Sequence, residues 1–274
     1  MPERTLERHY EIEIRLAARL RNSSSEARRS GLYKTVYDEY YSACEAIYGH
    51  PVGSLRDKEK IIRGAVSILG RFLNPAATFL EIGAGRCEIS EYISRMVRVV
   101  YALDVASEMD PGPAAPSNMR FILTDGVSIP VPIGSVTVAY SNQVMEHLHP
   151  DDAVEQLSNI YRALAPSGVY ICVTPNALSG PHDVSADFDE VATGLHLKEY
   201  TNGGLSDLLK RTGFRRVRAI GRSRFVNKPL LLPTMPYRLL EALAGMLPRA
   251  ARRRVARARL GPFALNHLCL AAFK

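Results

Sequence analysis

Apolar residues recur along this chain with two spacings, and stretches of the two kinds alternate. Short continuous apolar runs, typical of buried strands, lie at residues 78–82, 98–103, 120–123, 135–141, 169–175, 215–220 and 265–273. Between most of these runs, apolar residues return every third or fourth position, which predicts amphipathic helices. We therefore expect the 274 residues to form one α/β domain with an extension.

Three predicted helices, at residues 4–21, 31–48 and 55–73, precede the first strand. This pattern divides the chain into an N-terminal helical lid, residues 1–74, and a main domain, residues 75–274. The second helix carries five tyrosines. They either pack this helix onto the main domain or bring hydroxyl groups into a ligand pocket, because tyrosine combines an apolar face with a polar tip.

The segment FLEIGAGRCEIS, residues 79–90, predicts a strand, a tight turn and a helix. Gly83 and Gly85 lack a Cβ atom, so the turn can be sharp and a ligand can approach its backbone closely. The start of the helix offers unpaired N–H groups to a polar or anionic ligand. A dinucleotide site requires a third small residue where Glu88 stands, which argues against that class of cofactor.

Two carboxylates follow the next strands. Asp104 comes 21 residues after Gly83, at the distance where an acid at a strand tip accepts hydrogen bonds from ribose hydroxyls. Asp125 follows the third strand. Either carboxylate could instead cap a helix or turn, which is a common role for an acid after a strand, so both interpretations remain open.

The order Glu81-x-Gly83-x-Gly85, Asp104 and Asp125 resembles class I S-adenosylmethionine-dependent methyltransferases. The fourth strand, the Glu-His loop after it and the turn Leu-Ala-Pro-Ser-Gly at residues 164–168 are similar to the type 11 small-molecule enzymes. This resemblance covers about residues 75–220. It implies a Rossmann-like sheet of six parallel strands and one antiparallel strand flanked by helices. Between the sixth and the last strand, residues 221–262 form an unusually long insert, which we expect to be helical.

The resemblance also implies S-adenosyl-L-methionine as cofactor, with Asp125 receiving the adenine amine. The implied cofactor site comprises Glu81, Gly83, Ala84, Gly85, Asp104, Val105, Asp125, Gly126, Asn142 and Gln143. The long polar loop after the fifth strand is expected to line the acceptor pocket, and substrate contacts are assigned to Tyr33, Tyr37, His149 and Asp183.

An alcohol or phenol acceptor needs a base when it attacks the methyl group, and histidine suits that role near neutral pH. The candidate catalytic residues are His147, His182 and His196. Glu146 is a candidate to orient a neighbouring histidine, although any of these histidines could simply brace its loop. No metal ion is predicted.

The net charge of +7 conceals an asymmetry along the chain. Residues 215–274 hold 14 Lys and Arg against one acid, a net +13, and residues 1–214 carry the remaining −6. The arginine run from Arg249 to Arg259 is interpreted in three ways. It is a solvated helix that closes the pocket or forms an oligomer contact, a membrane-surface element, or a site for an anionic acceptor. Nucleic acid is disfavoured, because aromatic residues for stacking are almost absent there.

Four scattered cysteines, Cys44, Cys87, Cys172 and Cys269, show no metal or redox spacing and predict buried thiols in a reducing compartment. The charged N-terminus shows no signal-peptide pattern. We therefore expect a cytoplasmic protein, either free or peripheral at the membrane surface. The sequence predicts no oligomeric state.

The leading hypothesis is a methyltransferase acting on an O or N atom of a small molecule: a glycan, a lipid-linked compound or a specialised metabolite. A second hypothesis is a non-catalytic module that only binds the cofactor. A third is an RNA or protein methyltransferase that docks through the basic insert. The residues after the fourth strand, Ser141-Asn-Gln-Val144, lack the Asn/Asp-Pro-Pro-Tyr/Phe motif of amino-methylating nucleic-acid enzymes.

Overall fold

The fold is an α/β sandwich built on one mixed sheet. The structure is a computed structural model that describes residues 3–49, 58–223, 226–258 and 265–274. The strands described are β1 Thr78–Ile82, β2 Val99–Asp104, β3 Met119–Leu123, β4 Val136–Asn142, β5 Leu164–Pro175, β6 Arg216–Ser223, β7 Val226–Leu232 and β8 His267–Phe273. Their order in the sheet is β3-β2-β1-β4-β5-β8-β6-β7.

Strands β1 to β5 pair in parallel, and β8 pairs antiparallel with both β5 and β6. The predicted antiparallel last strand is therefore confirmed, and β6 runs in the same direction as β1 to β5. The prediction of seven strands is wrong by one, because β7 forms a hairpin with β6 inside the predicted helical insert. Pro229 disguised this strand in the sequence. At the edge of a sheet, the missing N–H of a proline costs no ladder bond.

The helices cover both faces of the sheet. Their bounds are α1 Glu3–Arg21, α2 Ser25–Ala27, α3 Tyr33–Tyr48, α4 Lys58–Leu69, α5 Glu88–Ile93, α6 Pro150–Ala163, α7 Asn202–Arg211, α8 Met235–Gly245 and α9 Arg249–Arg257. Buried residues of α1, α3, α6, α7 and α8 share one apolar core. Helix α4, predicted as part of the lid, packs instead with α5 in the core on the other face. The division at residue 74 stays a prediction.

A buried ion pair fastens the N-terminal helices to the main domain. Arg28, 1% exposed, contacts Asp152, which is fully buried at the start of α6. Tyr33 donates to the same carboxylate at 2.7 Å and accepts from the backbone N–H of His149 at 3.0 Å. These contacts hold α3 above the carboxyl ends of the parallel strands. None of the described helices is long and apolar enough to cross a membrane.

Candidate functional site

A cavity of about 780 Å³ opens at the carboxyl ends of β1, β2 and β4. Its floor is the glycine turn after β1, and its roof is formed by α1 and α3. One side wall is the loop that follows β4, and another is the long segment that follows β5. A cavity of this size is in the usual range for binding a cofactor or substrate.

The glycine turn has the backbone that only glycine adopts easily. Gly83 has φ +68° and Gly85 has φ +51°, and both border the cavity. A Cβ atom added at Gly83 would lie 2.4 Å from Cγ2 of Val144, so the turn packs tightly on the β4 loop. A Cβ atom at Gly85 would meet no atom within 4 Å. The turn therefore offers open space directly above its second glycine.

Asp104 reaches the same turn from the end of β2. Its Oδ2 accepts the N–H of Gly85 at 2.8 Å, and its Oδ1 accepts the N–H of Ala106 at 3.0 Å. Burial raises the pKa of Asp104, although these backbone hydrogen bonds act in the opposite direction. A carboxylate has about four lone-pair sites, so both oxygens retain capacity for a ligand in the cavity. Val105 lies beside it in the cavity wall.

Asp125 is not among the residues that line the cavity, although Thr124 and Gly126 are. Its Oδ1 accepts the N–H groups of Val127 and Ser128, and its Oδ2 accepts from Ser128 Oγ and from Arg29 Nε. These hydrogen bonds lower the pKa of Asp125 against the opposing effect of its burial. The geometry is that of a turn cap, and the predicted contact with an adenine amine stays a prediction.

Two other residues assigned to the cofactor lie behind the turn. Glu81 is 3% exposed and accepts a hydrogen bond from Ser90 Oγ at 2.6 Å, which ties β1 to α5. Burial raises the pKa of Glu81 to about 8. Ala84 is buried and donates its N–H to Leu103 O at 2.9 Å. Asn142 and Gln143, from the end of β4, do line the cavity.

The tyrosines of α3 both pack on the main domain and face the cavity. All five tyrosines of α3 border the cavity: Tyr33, Tyr37, Tyr40, Tyr41 and Tyr48. The hydroxyl of Tyr37 is buried with no hydrogen-bond partner among the described residues, and its ring meets His147 edge-on at 5.9 Å. Buried hydroxyls are normally hydrogen-bonded, so this one suits a ligand that supplies the missing partner.

Helix α1 contributes to the same cavity a polar cluster that was not predicted from the sequence. His9 Nε2 lies 3.0 Å from Glu13 Oε1, and His9 Nδ1 lies 2.8 Å from Tyr48 OH. Burial by itself lowers the pKa of His9, but hydrogen bonds to Cys44 and Glu13 outweigh it and raise the pKa to about 9. The spacing of four residues between His9 and Glu13 on a predicted helix was the available signal.

Two of the three candidate catalytic histidines meet at the cavity wall. The rings of His147 and His196 are edge-to-face, with centroids 4.9 Å apart. His147 Nδ1 bonds Leu195 O at 3.0 Å, and burial, reinforced by His196, lowers the pKa of His147 to about 3. His147 therefore stays neutral at physiological pH and braces the loop of His196.

His196 has a carboxylate partner that the sequence analysis did not assign. Its Nδ1 lies 2.8 Å from Oε1 of Glu199. Burial lowers the pKa of His196, but the hydrogen bond to Glu199 and the nearby charges of Glu146 and Glu199 raise it overall. Glu146, proposed from the sequence to orient a histidine, is fully buried and accepts from Thr174 Oγ1 at 2.8 Å.

Glu146, His147 and His196 each bring one ligand atom within 4.8 Å of the others. The absence of a metal ion therefore stays a prediction.

The remaining predicted residues are divided between cavity and surface. His182 and Asp183 line the cavity. His182 Nε2 lies 2.8 Å from Ser179 Oγ, and Asp183 accepts from the backbone of Ser185. His149 lies outside the lining, where its Nδ1 caps α6 by accepting the N–H of Asp151 at 3.3 Å.

The central part of the chain is similar to known methyltransferases. Residues 80–172 match a family model described as a methyltransferase domain. A curated relative from Mycolicibacterium smegmatis, described as a probable S-adenosylmethionine-dependent methyltransferase, is 30% identical over 140 residues. That match covers 49% of this chain and 51% of the relative, so the chain spans about half the length of the curated relative.

Solved structures share the fold. A S-adenosylmethionine-dependent methyltransferase from Archaeoglobus fulgidus aligns with a TM-score of 0.54 and 17% identity, covering 88% of this chain and 100% of that one. The Burkholderia thailandensis 1,6-didemethyltoxoflavin-N1-methyltransferase, solved with 1,6-didemethyltoxoflavin and S-adenosylhomocysteine, aligns with a TM-score of 0.52 and 17% identity. It covers 92% of this chain and 91% of its own. At such identities the likeness concerns the fold.

Proposed function

We propose that this chain, whose residues 80–172 match the methyltransferase-domain family model, binds S-adenosylmethionine and methylates an oxygen or nitrogen atom of a small molecule. One observation carries the proposal. A bare glycine turn and a strand-end carboxylate border the same cavity as a wall of tyrosines and two glutamate-paired histidines. The acceptor classes we favour are a glycan, a lipid-linked compound and a specialised metabolite.

The residues present fit an adenosyl cofactor. The open space above Gly85 leaves room for a ligand against the backbone, which a side chain at that position would fill. Asp104 lines the cavity, and its carboxylate would accept hydrogen bonds from the two ribose hydroxyls. Asn142 and Gln143 border the same space from β4 and would contact the remainder of the cofactor.

When bound, the cofactor supplies a methyl group that its sulfonium already activates. The protein's contribution is therefore to align the acceptor with the methyl group and to exclude water. Helices α1 and α3 cover the cavity, and the rings of Tyr37, Tyr40 and Tyr41 supply an apolar surface for the acceptor. Tyr37 OH would hydrogen-bond the acceptor and so gain the partner it lacks.

We assign the base to His196 and the orienting role to Glu199. The hydrogen bond from Nδ1 to Glu199 fixes the ring, and no described protein group bonds Nε2, which can take a proton from the acceptor. His147 is a weaker candidate because its pKa of about 3 leaves little basicity. His182 is already bonded to Ser179 and to Asn176 O.

The test combines binding with turnover. We expect calorimetry to detect S-adenosylmethionine binding by the wild-type protein and methyl-labelled cofactor to yield a product from a metabolite extract. His196→Ala should lower turnover by about 10²–10⁴-fold without weakening cofactor binding. Glu199→Gln should move the acid limb of the pH-rate profile to lower pH, because it removes the carboxylate that raises the pKa of His196.

The control variant is His267→Gln, a histidine on β8 outside the cavity lining, which should retain full turnover. Absence of cofactor binding by the wild-type protein would refute the proposed function. Binding without any labelled product would instead support a non-catalytic module. Equal loss of turnover in the control and in His196→Ala would remove the assignment of the base.

A further inference from the structure

Helix α8 exposes an apolar stripe. Met235, Leu239, Leu243 and Met246 are 60%, 59%, 64% and 82% exposed, although most large apolar residues of the described chain are buried. Leu247, at the end of the helix, is 39% exposed. A continuous row of exposed leucine and methionine side chains usually marks an interaction site.

The fold fixes the direction of this stripe. At about 100° per residue, positions 235, 239, 243 and 246 fall within one narrow arc of α8. The buried residues Tyr237, Glu241 and Ala244 lie on the opposite side. The Glu241 carboxylate accepts the backbone N–H of Asn202 at 2.7 Å and the Asn176 side chain at 3.0 Å. These bonds prevent α8 from rotating its apolar stripe inward.

Positive charge lies directly beside the stripe. Helix α9 begins four residues after α8 ends and contains Arg249, Arg252, Arg253 and Arg254. Residues 242–274 contain no Asp or Glu. The Nε atoms of Arg249, Arg252 and Arg253 are buried with no hydrogen-bond partner among the described residues, and Arg254 is exposed. Arg249 also donates to Asp189 O at 2.7 Å, and Glu190 is 3.8 Å from it.

We propose that α8 and α9 form a membrane-docking surface for a bilayer that contains anionic phospholipid. The Leu and Met side chains of α8 would enter the boundary between head groups and acyl chains, and the arginines of α9 would contact lipid phosphates. The exposed aliphatic side chains of α8 and the exposed Arg254 of the neighbouring α9 match these two layers of a bilayer. A purely electrostatic partner such as nucleic acid would leave the stripe in water.

The same surface adjoins the cavity. Arg249 binds the segment at Asp189, and the start of that segment, Asp183 and Val184, lines the cavity wall. Docking through α8 and α9 would therefore hold the wall of the acceptor site near the bilayer. This consequence rests on the proposed function: of the three acceptor classes, the surface favours the lipid-linked compound, which is amphiphilic.

Co-sedimentation of the 274-residue chain with vesicles tests the docking surface without any need for cofactor or turnover. We expect binding to vesicles of phosphatidylcholine with phosphatidylglycerol, and little binding to phosphatidylcholine alone. Each of Leu239→Ser and Leu243→Ser should weaken binding about tenfold. Arg254→Gln should weaken it about fivefold and reduce its salt dependence. These side chains are exposed, so the variants should remain folded, as circular dichroism will establish.

Ile133→Ser is the matched control, because Ile133 is 73% exposed on a turn outside α8 and α9. It should bind vesicles like the wild type. No binding to anionic vesicles, or equal loss in the control, would overturn the proposal. The proposal would also be overturned if ultracentrifugation showed that the wild type is a dimer and that Leu243→Ser is a monomer. A second copy of the chain would then cover the apolar stripe. A protein that binds vesicles but never methylates would leave docking intact and remove only the proposed function.

Discussion

Gly83→Ala and Gly85→Ala form a matched pair that separates folding from ligand binding at the glycine turn. Both positions have a positive φ, so the backbone alone makes each alanine cost about 1–2 kcal/mol of unfolding free energy. The surroundings differ. The new Cβ would lie 2.4 Å from Val144 Cγ2 at position 83 but would meet no atom within 4 Å at position 85.

The close contact sets the size of the difference. A separation of 2.4 Å cannot persist, so Val144 or its loop must move. Such overpacking typically lowers the unfolding free energy by a further amount of about 1–3 kcal/mol. We therefore expect Gly83→Ala to lose about 2–5 kcal/mol of stability and Gly85→Ala about 1–2 kcal/mol. In contrast, Gly85→Ala should weaken cofactor affinity at least about tenfold, because its Cβ enters the space proposed for the cofactor.

Guanidinium denaturation measures the stability loss, and calorimetric titration with S-adenosylmethionine measures the affinity. The double variant Gly83→Ala/Val144→Ala should regain most of the loss due to the clash, because it removes the methyl group that the new Cβ meets. Equal stability of the two glycine variants would refute the packing argument. Undiminished cofactor affinity in Gly85→Ala would refute the proposed position of the cofactor.

Three further predictions concern carboxylate groups and their partners. Asp104→Asn should weaken cofactor binding in calorimetry, whereas Asp125→Asn should chiefly lower the melting temperature. Weaker cofactor binding by Asp125→Asn, with unchanged binding by Asp104→Asn, would instead support the predicted contact of Asp125 with the adenine amine. Arg28→Met should cost about 3 kcal/mol in denaturation because it leaves Asp152 buried and unpaired, and Arg28→Met/Asp152→Leu should be more stable than Arg28→Met. Glu81 binds a proton more tightly in the folded state, where its pKa is about 8. The unfolding free energy of the wild type should therefore fall as pH rises from about 5 to 8, and Glu81→Gln should make this pH dependence weaker. An unchanged pH dependence in Glu81→Gln would contradict the raised pKa of Glu81.

The parallel half of the fold was predictable from the sequence because buried strands leave short continuous apolar runs. The strands β1, β2 and β3 and the glycine turn fall where these runs predicted them. Strand β7 was missed for a physical reason. An edge strand tolerates proline and needs no continuous apolar run, so the sequence resembled an irregular leucine-rich segment.

The site divides in a similar way. Residues on the strand ends, such as Gly83, Gly85 and Asp104, were predictable because topology alone brings those ends together. Contacts between remote segments were not. The bonds from α1 to residues 193–196, and the packing of His147 on His196, depend on how the long loop after β5 closes over the sheet. The spacing of His196 and Glu199 did indicate a possible histidine–carboxylate pair. The same spacing is common between exposed side chains, so it could not show that this pair lies in a cavity.

Helix α1 is also a clasp on the segment that carries His196. Glu13 Oε2 accepts the N–H of Leu195 at 3.1 Å, and Arg21 donates to the carbonyl oxygens of Thr193, Gly194 and His196. Widening the entrance by lifting α1 would break these bonds and release His196, the base that we propose, from its place in the cavity wall. If the proposed function holds, each exchange of cofactor or product would displace the proposed base from the cavity and return it before the next methyl transfer. In such an enzyme the opening of the clasp, and not the methyl transfer, would set the pace of turnover.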